Sequence, residues 1–237
     1  MRKRSTAAVA RDAVKRALDV GVAVTLLILL APVVIAIAVA VKVDSRGPVL
    51  YRCRRIGRDG VEFAMLKFRK MYDGAAGPAL TATEDARFTR FGRVLARTKL
   101  DEIPQLFNVL KGEMSLVGPR PEDPSFVDLR SKKHREILRV RPGITGLSQL
   151  AFARESEVLD PDDRVGHYIT VIFPQKLALD ALYASRQSAY MDMAILAWTV
   201  FAVVTRRDVA VNRVNGTLTR RRRSSVGGVS VEPSRAA

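Results

Sequence analysis

The sequence predicts an α+β, mostly helical, monotopic membrane protein whose N-terminal segment is re-entrant, of the helix-break-helix type. Three observations support this fold class: an uncharged apolar run that contains a proline, a strand-turn-strand pattern after it, and several helical patterns further on. We therefore divide the chain into a basic flank (residues 1–19), a re-entrant membrane helix (20–41), a cytosolic domain (42–205) and a basic, disordered tail (206–237).

The apolar run from Val20 to Val41 contains no charged side chain and lies between Asp19 and Lys42. At the rise of an α-helix it would be about 33 Å long, close to the hydrocarbon thickness of a bilayer. A signal peptide and a buried core helix are the alternatives. The length of the run and the lack of a convincing cleavage site weaken the first of them, so we favour membrane insertion.

A proline and two basic flanks predict that this helix turns back. Pro32, which follows Ala31 near the middle of the run, removes a backbone hydrogen bond and is expected to break or kink the helix. Basic residues flank both ends of the run: Arg2, Lys3, Arg4, Arg11, Lys15 and Arg16 before it, and Lys42, Arg46, Arg52, Arg54, Arg55 and Arg58 after it. Because basic flanks favour the cytoplasmic side, both ends are expected there. A kinked single pass is the alternative.

The rest of the chain shows a hairpin and then helices. Residues 49–54 alternate as in a strand, residues 58–60 supply turn chemistry, and a second strand is expected over 61–68. Helical patterns follow at 84–99, 104–110, 124–140, 178–184 and 191–204. The segment from residue 206, with the basic cluster Arg220–Arg223, is polar and predicts a disordered arm near anionic lipid.

Composition narrows the partners. The formal net charge of +16 implies an anionic partner, for which nucleic acid, anionic lipid and a phosphorylated substrate all qualify. The positive charge clusters at the membrane flanks and in the tail, without interleaved aromatic residues, so we expect no nucleic acid. One cysteine and two histidines make a zinc site improbable, and carboxylates that hold Mg²⁺ are the expected metal site.

The candidate catalytic residues are the adjacent carboxylates Asp101 and Glu102, which precede a short helix with Pro104 in its first turn. They can be read as a nucleophile beside a metal ligand or base. They can also be read as helix-terminal residues that only complement free N–H groups. The spacing leaves both interpretations open.

Four cations are candidate phosphate ligands. Lys67 and Arg69 alternate on a strand and would point the same way. Arg120 lies between two prolines and Arg141 precedes Pro142-Gly143. Rigid frames of this kind suit bidentate recognition of phosphate by arginine.

Three blocks of residues carry a family resemblance: KFRKM at 67–71, LDEIPQLFNVLKGEMSLVGPRPE at 100–122 and RPGITGLSQ at 141–149. With these blocks the chain resembles the bacterial sugar transferases, the monotopic phosphoglycosyl transferases, over roughly residues 12 to 205. The resemblance implies a bacterial inner-membrane enzyme with its catalytic domain, residues 42–205, on the cytoplasmic face. It would transfer a sugar 1-phosphate from a UDP-sugar to polyprenyl (undecaprenyl) phosphate, release UMP and begin glycan assembly.

The resemblance also implies a ping-pong mechanism and roles for the site residues. Asp101 would be the nucleophile that forms a phosphosugar–aspartate intermediate, and Glu102 would bind Mg²⁺ or manage the proton, with Asp101 beside it at the metal. Lys67, Arg69, Arg120 and Arg141 would contact phosphate or nucleotide. Ala31-Pro32 would be the membrane break.

Four departures and one rival interpretation accompany this resemblance. Lys70 stands where the family usually has Thr or Ser, and both Lys99 and Ala31 stand where Ser is common. The segment after Gln149 also differs from the family pattern, so the sugar is not specified. Anionic membrane lipid is an expected partner, and a homodimer is allowed but not required. The rival is a membrane-tethered phosphate- or nucleic-acid-binding protein without catalysis, which would not need the Asp101-Glu102 pair.

Overall fold

The computed structural model describes residues 6–77, 85–154, 160 and 163–221. The helices are, in chain order, α1 (Thr6–Asp44), α2 (Arg90–Thr98), α3 (Gln105–Lys111), α4 (Lys132–Ile137), α5 (Leu147–Ala151), α6 (Arg164–His167), α7 (Phe173–Arg186) and α8 (Ala189–Thr205). The strands are β1 (Leu50–Ile56), β2 (Glu62–Phe68), β3 (Ser115–Val117), β4 (Gly143–Thr145), β5 (Val209–Val211) and β6 (Leu218–Arg220). Shorter 3₁₀ turns cover Arg58–Gly60, Leu100–Glu102 and Pro124–Phe126, and a π-helical turn, Tyr168–Ile172, joins α6 to α7.

The architecture is mixed α and β and mostly helical, in agreement with the predicted class. The strands form three two-stranded sheets: β1 and β2 are antiparallel, β3 and β4 are parallel, and β5 and β6 are antiparallel. The predicted hairpin is confirmed, with Cys53 opposite Met65, and Asp59 and Gly60 take the positive φ angles of its turn. A single apolar cluster joins α1, both strands of this hairpin, α3, α7 and α8.

Helix α1 is long and apolar enough to cross a membrane, and is the one such helix among the described residues. It is longer than the predicted membrane segment, since it extends to Thr6 at one end and Asp44 at the other, and it continues through Pro32 without a break. The expected break at Ala31-Pro32 is therefore not observed. Only 11% of the most apolar stretch of α1 is buried against the rest of the protein, which agrees with a helix whose outer face contacts lipid.

Both ends of the apolar run in α1 are attached to the same body. Next to the start of this run, the buried Asp19 accepts hydrogen bonds from the Ser115 hydroxyl and the Leu116 backbone. Near the end, Asp44 accepts a hydrogen bond from the backbone of Phe91 in α2. Between these points one face of α1 packs on the domain, with Ala23 and Ile37 buried. The helix therefore lies along the domain for most of its length.

The basic flank before the apolar run also contacts protein. Lys15 forms an ion pair of 2.8 Å with Asp192 in α8, and Arg16 donates to the carbonyls of Val109 and Leu110 at the end of α3. These two cations hold α1 on the domain. Within the flank, residues 1–5 lie outside the described part of the chain.

The helix predicted over 84–99 starts only at Arg90, because Thr89 is extended and its side chain accepts a hydrogen bond from the Gly92 backbone. The helix predicted over 124–140 is instead a 3₁₀ turn and the short α4, since Asp128 accepts from the Arg130 backbone in the turn between them.

The disordered tail predicted from residue 206 is wrong up to Arg221. Strands β5 and β6 form a hairpin there, because Val209 is buried in the main core. Residues 222–237, with part of the basic cluster, lie outside the described part of the chain.

Candidate functional site

The two candidate carboxylates lie in the 3₁₀ turn between α2 and α3. Lys99, with φ of 60°, ends α2 and redirects the chain, and Pro104 begins α3. Neither carboxylate caps α3, since its N-cap position has no side-chain hydrogen bond. The helix-capping interpretation is therefore unsupported. Asp101 is only 1% exposed, an unusual burial for a carboxylate without a structural task.

Asn108 in α3 fixes this turn against the hairpin. Its side-chain oxygen accepts from the Leu66 backbone at 2.9 Å, and its amide donates to the Ala64 carbonyl at 2.8 Å. Asn108 is fully buried, so these bonds hold α3 against β2 at a fixed register. The end of β2 is thereby placed beside the carboxylates.

Lys67 in β2 pairs with Glu102, with 2.7 Å between Nζ and Oε1. Burial raises the pKa of the Glu102 carboxyl, but the charges of Lys67 and then Arg120 outweigh this effect and lower the pKa from 4.5 to about 2. Glu102 is therefore ionised at neutral pH. Of the predicted site residues, the structure therefore brings Lys67 and Arg120 together with the adjacent carboxylates Asp101 and Glu102.

A residue that the sequence did not select completes this arrangement. Lys70 lies two residues beyond β2, and its Nζ is 3.2 Å from Oδ2 of Asp101. That oxygen is buried and has no hydrogen-bond partner among the described residues, so the contact is an ion pair only. The only sequence signal for Lys70 was its departure from the family pattern at a position that usually holds Thr or Ser.

Arg69 does not join the carboxylates. It is 4% exposed, and its guanidinium donates to the Pro48 carbonyl at 2.6 Å and to the Ser45 hydroxyl at 2.8 Å. Further bonds go to the backbone oxygens of Val41, Ser45 and Arg46. These groups are at and just beyond the end of α1, where backbone carbonyls lack helical partners. The predicted substrate contact is unsupported, and Arg69 instead closes the end of α1.

Arg141 is likewise at a different place. Its Nε donates to the Gly112 carbonyl at 3.0 Å, just past the C-terminal end of α3. Asp101 precedes the opposite end of that helix. The charge of Arg141 also contributes to lowering the pKa of Arg16, after the larger effect of burial. The structure therefore does not place Arg141 with the carboxylates.

A second buried polar cluster lies behind Arg120. Arg120, Glu122 and Asp180 all line a cavity of about 30 Å³. Asp180 accepts from the Ser148 hydroxyl at 2.7 Å, and burial raises its pKa to about 7. Lys176 donates to the Tyr168 hydroxyl. Sequence reasoning selected only Arg120 from this cluster, because its other members come from separate segments that only the fold brings together.

Comparison with known proteins identifies the family. The family model described as bacterial sugar transferase matches residues 10–206. The chain belongs to this family. The resemblance noted in the sequence is thereby confirmed.

Several curated relatives of this sugar transferase carry the names of enzymes. The chain is 38% identical to the UDP-glucose:undecaprenyl-phosphate glucose-1-phosphate transferase of Caulobacter vibrioides over 83% of the chain and 72% of the relative. It is 36% identical to exopolysaccharide production protein PSS of Rhizobium leguminosarum over 81% of the chain and 96% of the relative. A third relative, from Aeromonas hydrophila, is named as a UDP-N-acetylgalactosamine-undecaprenyl-phosphate N-acetylgalactosaminephosphotransferase. It is 34% identical over 81% of the chain and 44% of the relative.

The two carboxylates of this sugar transferase could hold a magnesium ion only together with the phosphates of a bound substrate. Among the described residues there is no group of three or more His, Cys, Asp or Glu side chains that could hold a metal. Mg²⁺ is commonly bound by one or two carboxylates and the phosphates of a substrate. The buried, unbonded Oδ2 of Asp101 and the ionised Glu102 supply such a pair.

Proposed function

We propose that this protein transfers a sugar 1-phosphate from a UDP-sugar to undecaprenyl phosphate, releases UMP and so begins the assembly of an exopolysaccharide or a related glycan. The observation that carries the proposal is the Asp101-Glu102 pair, in which Asp101 is buried beside Lys70 and the part-buried Glu102 is paired with Lys67. A protein that only bound phosphate would need the lysines and would gain nothing from two adjacent carboxylates, which repel phosphate.

In the first half-reaction, an oxygen of Asp101 attacks the β-phosphorus of the UDP-sugar. The bond from that phosphorus to the oxygen bridging the two phosphates breaks, and UMP leaves with the bond's electrons. A carboxylate nucleophile divides one phosphoryl transfer into two easier steps. Mg²⁺, when bound at Asp101 and Glu102, would neutralise charge on the phosphates.

In the second half-reaction, a phosphate oxygen of the lipid carrier attacks the same phosphorus. The bond to Asp101 breaks and the carboxylate is restored. Lys67 holds Glu102 in place throughout, and the low pKa of Glu102 keeps it ionised and able to bind a cation. Arg120 adds a further positive charge near Glu102.

Covalent labelling tests the nucleophile. With UDP-sugar labelled on the β-phosphate and no lipid acceptor, wild-type protein in detergent should retain label and release one equivalent of UMP. Asp101→Asn should retain none, and its turnover should fall by about 10³-fold or more, as for other nucleophile removals. Asp128→Asn, at an exposed carboxylate away from the site, is the matched control and should behave as wild type.

Two results would contradict the proposal. Near-normal turnover by Asp101→Asn would exclude the covalent mechanism at this residue. Tight binding of UDP-sugars without any UMP release, even with undecaprenyl phosphate present, would favour a binding protein without catalysis. Because the relatives' names include glucose and N-acetylgalactosamine, the assay should begin with UDP-glucose and UDP-N-acetylhexosamines.

We also propose that α1 lies within one leaflet, with both ends of its apolar run on the cytoplasmic side. The unbroken helix from Asp19 to Asp44 is about 38 Å long, so its length alone would allow it to cross a bilayer. Asp19 and Asp44, however, are bonded to one and the same folded domain, which lies on one side of the membrane. The exposed apolar face of α1, which includes Ile28, Leu29 and Ile35, is the surface that lipid would cover.

Cysteine accessibility tests this topology. In a background with Cys53 replaced by alanine, Ala10→Cys and Arg46→Cys should both react with a membrane-impermeant thiol reagent in inside-out vesicles. Both positions are exposed. Labelling of the two positions from opposite sides would establish a single pass and contradict the monotopic arrangement.

A further inference from the structure

Lys70 is held in a rigid backbone frame beside the candidate nucleophile. Its carbonyl accepts from the Thr89 backbone at 3.1 Å, and the next residue, Met71, forms a β-bridge with Phe88. The close approach of Gly92 to the same carbonyl leaves no room for a side chain there. The start of α2 therefore fixes the direction from which the Lys70 side chain reaches Asp101.

The two lysines divide the two carboxylates between them. Lys67 makes a 2.7 Å hydrogen bond to Glu102, whereas Lys70 lies 3.2 Å from Asp101 without forming a hydrogen bond. The Lys70 side chain keeps 28% of its exposure, while that of Asp101 keeps 2%. The ammonium of Lys70 is thus more accessible than the carboxylate that it pairs with. It also lies over the Phe88 ring, 5.8 Å from the ring centroid, a contact that uses none of its N–H donors in a hydrogen bond.

The charge of Lys70 answers a specific difficulty of the proposed reaction. An anionic carboxylate must approach an anionic diphosphate to bonding distance, and this repulsion is strong in a site removed from water. A cation already placed beside the attacking oxygen offsets this repulsion and lies within reach of the phosphate that approaches that oxygen. A neutral side chain at position 70 could not do so.

We propose that Lys70 is a further catalytic residue, whose Nζ passes from Asp101 Oδ2 to an oxygen of the β-phosphate as that phosphate is attacked. This inference rests on the proposed function. It implies that Lys70 senses the β-phosphate and not the α-phosphate.

The test uses Lys70→Gln, which keeps a donor for Asp101 but lacks the charge, and Lys70→Arg, which keeps the charge. The matched control is Lys133→Gln, on the exposed face of α4. In single-turnover assays without lipid acceptor, Lys70→Gln should release UMP about 10²-fold more slowly than wild type. Lys70→Arg should lose at most about 10-fold, and Lys133→Gln should lose nothing.

Binding provides a readout that does not depend on turnover. The α,β-methylene analogue of UDP carries a β-phosphate and cannot lose UMP, whereas UMP has only the α-phosphate. At fixed Mg²⁺, Lys70→Gln should weaken binding of the analogue about 10-fold and leave the affinity for UMP within about 2-fold. A purely structural role for Lys70 would weaken both ligands equally.

The outcomes separate this inference from the proposed function. Wild-type UMP release by Lys70→Gln, or an equal loss of affinity for both ligands, would overturn the role of Lys70 while leaving labelling of Asp101 intact. If the wild-type protein took up no label at all, the covalent step would fail, and the comparison of the two ligands would still decide whether Lys70 contacts the β-phosphate.

Discussion

Gly92 is the point at which α2 touches the strand end that carries Lys70, and it can be perturbed by a single methyl group. An ideal Cβ at Gly92 would lie 1.9 Å from the Lys70 carbonyl oxygen and 2.7 Å from the Thr89 hydroxyl. Separations under 3.0 Å are essentially never tolerated, so Gly92→Ala requires a displacement of about 1 Å. Backbone, not a flexible side chain, must move.

The magnitude follows from two opposed effects. Overpacking of this kind costs about 1–3 kcal/mol, and the replacement of glycine in a helix returns at most about 1 kcal/mol. We expect a net loss of about 1–2 kcal/mol, which corresponds to a fall in Tm of roughly 2–8 °C for a chain of this size. A misplacement of about 1 Å at Lys70 should reduce turnover by about 10²-fold.

The assay compares thermal unfolding in detergent and UMP release for Gly92→Ala and for Gly21→Ala. Gly21 is a helical glycine of α1 with no atom within 4 Å of its ideal Cβ, so its replacement should leave Tm equal or higher and turnover unchanged. If Gly92→Ala kept both the Tm and the turnover of wild type, the frame described for Lys70 would be incorrect.

Three further predictions concern charge and pH. The pKa of Glu102 is lowered to about 2, so its pairing with cations should add about 3 kcal/mol to the free energy of unfolding above pH 4.5, and this stability should be lost as the pH falls toward 2. Denaturation curves of Glu102→Gln should lack that pH dependence. The pKa of Asp180 is raised to about 7, so Asp180 should destabilise the fold increasingly as the pH rises from about 4 to 7. Asp180→Asn should therefore increase the free energy of unfolding at pH 8 by up to about 4 kcal/mol, seen as a higher Tm, and should leave it unchanged at pH 4. Arg69→Met should lower Tm by several degrees, because it leaves carbonyls at the end of α1 unpaired, while the folded protein keeps its affinity for UMP; a selective loss of UMP affinity would restore the substrate contact first expected of Arg69.

Local sequence patterns determined the elements whose signals lie within a few residues. The apolar run located α1, the alternation around residues 58–60 located the first hairpin, and Pro104 with Gly112 bounded α3. The adjacency of Asp101 and Glu102 also survives folding unchanged, because neighbours in the chain remain neighbours in space. Periodicity and turn chemistry act at this range, so the sequence alone is sufficient for them.

The directions of the cations were decided by tertiary structure. Alternation along a strand placed Lys67 and Arg69 on one face, but the chain leaves β2 at Phe68, and beyond it Arg69 turns to the carbonyls at the end of α1 while Lys70 turns to Asp101. The positions of those carbonyls and of Asp101 depend on how α1 and α3 pack on the hairpin. A guanidinium with unpaired carbonyls within reach will bind them, whatever its motif suggests.

Long-range packing also decided the structure of residues 206–221. This segment is polar enough to predict disorder, yet Val209 in β5 is buried in the main core beside α5, and β6 pairs with β5. Burial of one apolar side chain in a long-range contact outweighs a local composition that favours disorder. The sequence by itself thus determined the long apolar helix, the first hairpin and the carboxylate pair. Only the packing of distant segments decided which cations pair with the two carboxylates.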